Sequence, residues 1–495
     1  MSDLAIRNRR GDTRTVSSAA VSRLGTAVQG TLFTRDTPGY DEARTIWNAM
    51  IDRRPALIVR CRATDDVLHT VLFARELDLL VSVRGGGHNI AGSALVDDGL
   101  VIDLSAMRDI HVDSIQRTAR AEPGLTLGGF DRHTQEYGLA TPLGINSTTG
   151  IAGLTLGGGY GWLSRAHGLT IDNLRAVQVV TAEGDLLSAS ERENSDLFWA
   201  LRGGGGNFGI VTRFDYALHP VGPTVQAGLI IHPFDDAATL LRRYRDVMAD
   251  APESLSAWVV MRKAPPLPFL PTAVHGREVL VLAVCFSGPS TEAEEALRPL
   301  RAIGQPIADV VAPTPYVAFQ SAFDPLLTPG ARNYWKTHNF STLHDELIDQ
   351  LVAQVHQLPG PMCEIFLANL GGAVSRRSDD ATAYTGRDAQ FVMNVHGRWE
   401  SPDEDERVVG WARAVHRATA PFASAGAYVN FMTADEQERV RAAYGTNYER
   451  LAAIKAKYDG DNFFRANQNI VPATQQPTPS YLVIDRTAET PPPSM

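Results

Sequence analysis

Leu79-Leu80-Val81-Ser82-Val83-Arg84-Gly85-Gly86-Gly87-His88-Asn89 is the stretch on which the fold of this chain turns. An apolar run with strand character stops at three glycines, which lead directly into a histidine. Lacking Cβ, glycine can adopt φ > 0 and let the backbone approach a ligand closely. Consecutive N–H groups in such a turn make an anion-binding concavity suited to a pyrophosphate. A histidine at the tip can reach whatever the loop holds. Alone, such a loop is most often a plain turn with a solvated imidazole.

Two further glycine clusters change that balance. One is Gly150-Ile151-Ala152-Gly153-Leu154-Thr155-Leu156-Gly157-Gly158-Gly159-Tyr160-Gly161-Trp162. The other is Arg202-Gly203-Gly204-Gly205-Gly206-Asn207-Phe208-Gly209-Ile210-Val211-Thr212. Between them a strand over Ala176–Thr181, a turn at Glu183-Gly184-Asp185, a return strand from Leu186 and a short helix over Asp196–Leu201 are expected. Glycines at three separated places suggest loops converging on one extended ligand. Gly204, Gly206 and Gly209 formally match G-x-G-x-x-G, but that motif needs a strand before it and a helix after it. Here the expected helix precedes and a β-branched run follows, so a Rossmann site is excluded. There is no Walker sequence.

These residues resemble the berberine bridge enzyme-like flavoproteins of the vanillyl-alcohol oxidase superfamily, including the bacterial 6-hydroxy-nicotine oxidase type. The likeness spans about Pro55 to Pro472. Beyond the glycine loops it rests on Val101-Ile102-Asp103-Leu104, Gly168-Leu169-Thr170-Ile171-Asp172-Asn173, Asp196-Leu197-Phe198-Trp199-Ala200-Leu201, Asn447-Tyr448-Glu449-Arg450-Leu451 and Tyr458 to Ile470. The resemblance implies an α+β fold: a PCMH-type, two-part FAD-binding domain and a substrate domain whose antiparallel sheet is covered by helices. It implies FAD bonded through its 8α-methyl to His88. It also implies cofactor contacts from Arg84, Gly85, Gly86, Gly87, Asn89 and Ser93 in the first loop, and from Thr149, Gly150, Gly153, Gly158, Gly159 and Tyr160 in the second. Gly206, Ile210 and Val211 in the third and Asn467 and Asn469 near the C-terminus complete the set.

Many members of that family make a second flavin bond through a cysteine in a Cys-Pro-x-Val-Gly segment. The corresponding stretch here is Asn146-Ser147-Thr148-Thr149-Gly150, and Cys61, Cys285 and Cys363 lie far from it in sequence. Attachment through His88 only is therefore expected, with a lower potential and a less open active site than in doubly linked relatives. A small residue three places after the cysteine position goes with oxygen access in the family. Thr149 stands there, which points to an oxidase releasing hydrogen peroxide.

The chain has 495 residues, 44% hydrophobic and 21% charged, enough for two or three domains. A net charge of −10 argues against nucleic acid and anionic membranes, which reward basic patches. Three cysteines cannot form a disulfide framework and suggest a reducing, cytoplasmic setting. No apolar stretch reaches the roughly 18 residues of a membrane span, and no signal peptide is evident. There is no repeat, no low-complexity tract and no metal-binding motif.

The expected organisation is a flexible N-terminal segment at 1–30, the FAD-binding domain at 31–222, the substrate domain at 223–425, a segment at 426–475 returning to the FAD domain, and a frayed tail at 476–495. Thr64 is expected to cap the helix carrying Val67, Leu68, Val71 and Leu72. In the second domain helices are expected at 238–248, 292–303 and 345–357, and strands at 280–286, 363–370 and 390–399.

Oxidation at a flavin needs a base within about 3 Å of the proton it removes. Tyr428, in Ala427-Tyr428-Val429-Asn430, matches a Tyr-x-Asn motif of the family and is the first candidate. With an ordinary pKa near about 10, it needs a cation or a hydrogen-bonding partner. Alternation on the last strand puts Val392, Asn394, His396 and Arg398 on one face, so Asn394 and His396 are further candidates. Glu364 is weaker, since such residues commonly pair with a surface arginine. The partners expected are a small-molecule substrate and O2. Three functions stay open: an FAD oxidase of an alcohol or amine carbon; a flavin dehydrogenase or oxidative cyclase; a flavin-containing binding or resistance protein. Substrate and oligomeric state are not legible.

Overall fold

The computed structural model describes residues 2–424 and 426–476; nearly all of the expected tail lies outside the described residues. The N-terminal segment is not loose. Leu4–Arg7 and Thr13–Val16 pair as a hairpin, and the helix Ser18–Ala27 follows, capped by the Ser17 side chain. Ile6, Val16, Val21 and Leu24 enter the same core as Leu57, Val59, Leu100 and Ile102. The polar, arginine-containing residues that suggested disorder are the outer face of this layer.

Three sheets organise the rest. A four-stranded sheet has the order Thr31–Phe33, Leu57–Arg60, Leu100–Asp103, Val81–Arg84, its last three strands parallel. The helix Thr64–Glu76 crosses over it, starting one residue earlier than expected, with Ala63 at the cap position and no side-chain cap. A five-stranded antiparallel sheet runs in the order Leu186–Ser190, Leu174–Val180, Ile210–Ala217, Thr118–Ala121, Ile110–Asp113. The turn at Glu183-Gly184-Asp185 depends on Gly184 at φ 83°, a conformation open to glycine.

The third sheet is antiparallel and eight-stranded. Its main path is Ala308–Asp309, Thr224–Pro233, Glu278–Phe286, Leu255–Lys263, Glu364–Asn369, Phe391–Trp399, Arg332–Phe340. Helices Ala237–Asp250, Ala293–Arg301, Asp345–Val355 and Asp405–Thr419 cover one face. Met393 and Val395 enter that helix-covered core, whereas Val392 packs on the opposite side with Tyr160, Trp258 and Tyr428. The period-2 alternation of the strand thus separates a structural face from a face turned toward the glycine loops. The C-terminal stretch threads back: Val429, Met432, Val440, Leu451 and Ile470 share a core with Val177, Phe198, Val211 and Phe214.

One buried group links helix Leu127–Gln135 to helix Tyr316–Gln320. Asp131 is fully buried, with Gln320 Nε2 donating to it at 2.9 Å. Burial pushes its carboxyl up to about 7, against the opposing hydrogen bond. A carboxyl raised in the folded state lends stability that is complete below its ordinary pKa and is lost as pH rises toward 7. Asp131→Asn is therefore expected to leave stability unchanged at pH 4. At pH 8 it should raise it by a few kcal/mol, at about 1.4 kcal/mol per pKa unit. Urea denaturation of both proteins at the two pH values checks this.

Candidate cofactor and substrate site

A cavity of about 390 Å³ lies between the glycine loops and the uncovered face of the eight-stranded sheet. The first two loops meet backbone to backbone. A Cβ on Gly86 would come within 2.4 Å of Gly150 N, and one on Gly150 within 2.4 Å of Gly86 N. Any side chain at either position would part the loops. By contrast, a Cβ on Gly153 or Gly206 would meet nothing within 4 Å, and both glycines line the cavity, so their missing side chains leave room for a ligand.

His88 lies in the wall with its ring stacked on Trp47, centroids 5.1 Å apart. Burial pulls its pKa down to about 4, so the imidazole is neutral at pH 7. Thr148 Oγ1 donates to Asn146 Oδ1 at 2.7 Å and therefore accepts from His88 Nε2 at 3.0 Å. The hydrogen bond made by one ring nitrogen fixes the tautomer: the proton sits on Nε2 and the lone pair on Nδ1, 3.5 Å from Thr149 Oγ1. Asn146 is thus tied to His88 through Thr148.

Among the expected cofactor residues, Gly85, Gly86, Gly87, Asn89, Ser93, Thr149, Gly150, Gly153, Tyr160, Gly206, Ile210, Val211 and Asn467 line the cavity together with His88. Arg84, Gly158, Gly159 and Asn469 do not. Arg84 ends its strand and turns its guanidinium to the carbonyl of Ala43. Gly158 packs under Tyr384, and Gly159 uses its N–H on the Tyr428 hydroxyl. In the last stretch Asn467 and Gln468 take the wall positions. The wall also contains Trp47, Asn207, Trp335 and Tyr444. Asn207 was within reach of sequence reasoning, inside the third glycine cluster; the other three carry no local signal.

On the sheet side, Tyr428 is 3% exposed, and its hydroxyl accepts hydrogen bonds from Asn430 Nδ2 at 3.0 Å and Gly159 N at 3.3 Å. Burial raises its pKa to about 12 against those two donors. Asn394 is 1% exposed, and its Oδ1 has no partner. His396 turns both ring nitrogens to acceptors: Nε2 lies 3.1 Å from Asn333 Oδ1 and Nδ1 lies 3.4 Å from Glu364 Oε1. Asn333 Oδ1 is identified as the oxygen because Arg398 donates to it at 3.2 Å. Glu364 is indeed bonded to an arginine, Arg262 at 2.7 Å, but both line the cavity instead of the surface. Burial raises the Glu364 pKa, yet Arg262, His396 and Arg398 outweigh it and hold the carboxyl below its ordinary value.

Around the cavity, Asn467 Oδ1, Tyr444 Oη, Asn394 Oδ1 and Trp335 Nε1 are buried with no protein partner. Unpaired buried polar atoms are costly, and a ligand rich in hydrogen-bonding groups completes them. FAD, with its pyrophosphate, ribityl chain and polar ring edge, fits this wall.

Residues 55–190 match the family described as FAD binding domain, and residues 427–471 the one described as berberine and berberine like. An uncharacterized FAD-linked oxidoreductase of Bacillus subtilis, YgaK, is 34% identical, covering 90% of this chain and 98% of its own. This chain belongs to the berberine bridge enzyme-like FAD-linked oxidoreductases. (R)-6-hydroxynicotine oxidase of Paenarthrobacter nicotinovorans is 29% identical over 91% of this chain and 99% of its own. The crystal structure of 6-hydroxy-D-nicotine oxidase from Arthrobacter nicotinovorans superposes with a TM-score of 0.80 at 27% identity, covering 90% of this chain and 98% of the other. The berberine bridge enzyme-like protein described here is accordingly an α+β flavoprotein and an oxidoreductase. Among its described residues no helix is long and apolar enough to cross a membrane, and no cluster could hold a metal ion.

Proposed function

We propose that this protein is an FAD oxidase that holds its cofactor through His88 alone and acts on an alcohol or amine carbon of a small organic molecule. The carrying observation is the His88 imidazole: neutral, in the cavity wall, with its tautomer set by Thr148. Cys61, Cys285 and Cys363 are fully buried away from the cavity, and Asn146 occupies the wall where a second attachment residue would stand. Bound FAD supplies the hydride acceptor and delivers the electrons to O2 as hydrogen peroxide.

The chain supplies the geometry and the base. Tyr428 is assigned that role, since its hydroxyl oxygen is already held by two N–H donors that favour the phenolate. Both His396 nitrogens already face protein groups, Asn333 Oδ1 and Glu364 Oε1, so His396 is assigned to positioning Glu364 and not to taking the proton. Asn394 offers an acceptor to a substrate O–H or N–H. Thr149, small and beside His88, leaves O2 a path. Three buried thiols without a disulfide support a cytoplasmic setting.

Acid precipitation tests the attachment. The parent protein is expected to give a yellow pellet and His88→Ala a colourless one. Colour in both pellets would reveal another attachment residue; colour in neither would remove His88 from the role. Peroxide formation during turnover separates the oxidase from a dehydrogenase, and absence of flavin bleaching with any substrate would favour a binding protein.

A further inference from the structure

The cavity face of the eight-stranded sheet changes character across its width. The register sets Ile231, Val281, Val260, Phe366 and Asn394 in one row. It sets Val279, Arg262, Glu364, His396 and Trp335 in the next. Toward strand Phe391–Trp399 both rows are polar. Toward strand Thr224–Pro233 they are aliphatic, and the loop after Lys263 folds over that end.

Leu229, Ile231, Val260, Leu270, Val279 and Val281 line this part of the cavity, and none carries a hydrogen-bonding side chain. Between the two ends lies an aromatic shelf. The Trp258 and Phe366 rings are nearly parallel at 6.1 Å and 7°, and Tyr160 lies 5.7 Å from Trp258. The charged Arg262 and Glu364, and the imidazole of His396, whose pKa burial lowers, already answer one another. On the sheet side Asn394 keeps a buried amide oxygen free, and Tyr160 Oη, Trp258 Nε1 and Trp335 Nε1 in the same cavity wall are also buried without a protein partner.

We propose that the substrate is an apolar molecule with an aromatic or polycyclic body, seated on the aliphatic rows and the aromatic shelf. It carries one hydroxyl or N–H group, directed to Asn394 Oδ1. This rests on the oxidase assignment above and names the substrate class for it. Apolar side chains reward the burial of apolar surface, and the faces of Trp258 and Phe366 favour stacking with an aromatic ring. An oligosaccharide would bury hydroxyls against Leu229, Ile231 and Val281 with no partner for them, which penalises binding.

The test is calorimetric titration of the intact, FAD-containing protein with 2-naphthalenemethanol and, separately, with cellobiose, in oxygen-free buffer at two temperatures. The naphthyl alcohol is expected to bind with a negative heat-capacity change, the mark of apolar burial, and cellobiose to give no binding heat. Val281→Thr, which exchanges a methyl for a hydroxyl at nearly constant volume, is expected to weaken the naphthyl alcohol about tenfold. Its flavin content and melting temperature should match the parent's. If Val281→Thr does not fold, Leu229→Asn at the half-buried edge of the chamber provides the same comparison.

Binding of cellobiose in preference to the naphthyl alcohol, binding of neither, or unchanged affinity in the folded variant would overturn the proposal. The readout needs no turnover, so the two assignments fail separately. Naphthyl alcohol binding to protein that carries no flavin would sink the oxidase assignment and leave this one. Flavin present with cellobiose alone bound would do the reverse.

Discussion

Lys455→Met is expected to destabilise the protein by about 3–5 kcal/mol and to lower its FAD content in parallel. Lys455 and Asp459 are both fully buried, one helical turn apart. The ammonium donates to Asp459 Oδ2 at 2.5 Å, to the carbonyl of Asn207 at 2.6 Å and to the carbonyl of Phe464 at 2.9 Å. Burial lowers its pKa to about 8 against the pull of Asp459, so it remains charged at pH 7. Asp459 in turn accepts from the N–H groups of Phe463 and Phe464. This one cation therefore clamps the third glycine loop to the C-terminal stretch, and both contribute to the cavity wall through Asn207, Phe464 and Asn467.

Methionine fills nearly the same volume but leaves a buried carboxylate with no cation and the Asn207 carbonyl with no donor, while the Phe464 carbonyl keeps only the Asn467 side-chain amide. Asp459→Asn in the Lys455→Met background should recover part of the loss, because removing the orphaned charge removes the largest penalty. Denaturation midpoints of the three variants, with flavin absorbance per mole of protein, check both statements. A Lys455→Met protein with unchanged midpoint and full flavin would show that the clamp carries no stability.

Lys455 also shows where sequence reasoning ends. The stretch from Tyr458 to Ile470 was legible through its resemblance to the family, which implied cofactor contacts at Asn467 and Asn469. Nothing local indicated that a lysine three residues earlier would be buried and spent on the carbonyl of Asn207, 248 positions away. Similarly, the three glycine loops could be seen converging on one ligand, because glycine is demanded by the local backbone geometry. Their contact at Gly86 and Gly150 is tertiary. Arg84 and Asn469 came from the resemblance to the family, and the cavity wall here is formed by their neighbours Gly85 and Gln468.

The alternation over Val392–Trp399 located a two-faced strand, since a period of two is a local property. Its partner Arg332–Phe340 was missed. Lys336, Thr337, His338 and Asn339 are all buried there, and their polar character masks the strand pattern until the neighbours that satisfy them are known. Lys336, for instance, is paired with Asp435 and Glu436 from the C-terminal stretch. The N-terminal 30 residues were misjudged for the related reason that a thin outer layer buries few side chains and reads as polar.

Tyr428→Phe is expected to lower kcat/KM by about 10²–10⁴, the usual worth of a positioned base, while flavin content and the yellow acid pellet stay as in the parent. The phenyl ring preserves packing against Tyr160 and Phe431, at 4.7 and 4.8 Å between ring centroids. What is lost is an oxygen held by Asn430 and Gly159 and an exchangeable proton. The pH dependence distinguishes this role from a structural one. With its pKa raised to about 12, the phenolate fraction increases tenfold per pH unit across the alkaline range open to the protein. For the parent, log(kcat/KM) should climb with pH from 7 to 10 without reaching a plateau, and for Tyr428→Phe it should be flat. Loss of activity with the slope retained would assign the proton transfer to another group that titrates in the alkaline range, which excludes Glu364, whose carboxyl is held below its ordinary value. A flat profile in both proteins would mean that proton removal does not limit the reaction. The two donors on the Tyr428 oxygen would then serve to fix the ring over the substrate, a role that phenylalanine should largely retain.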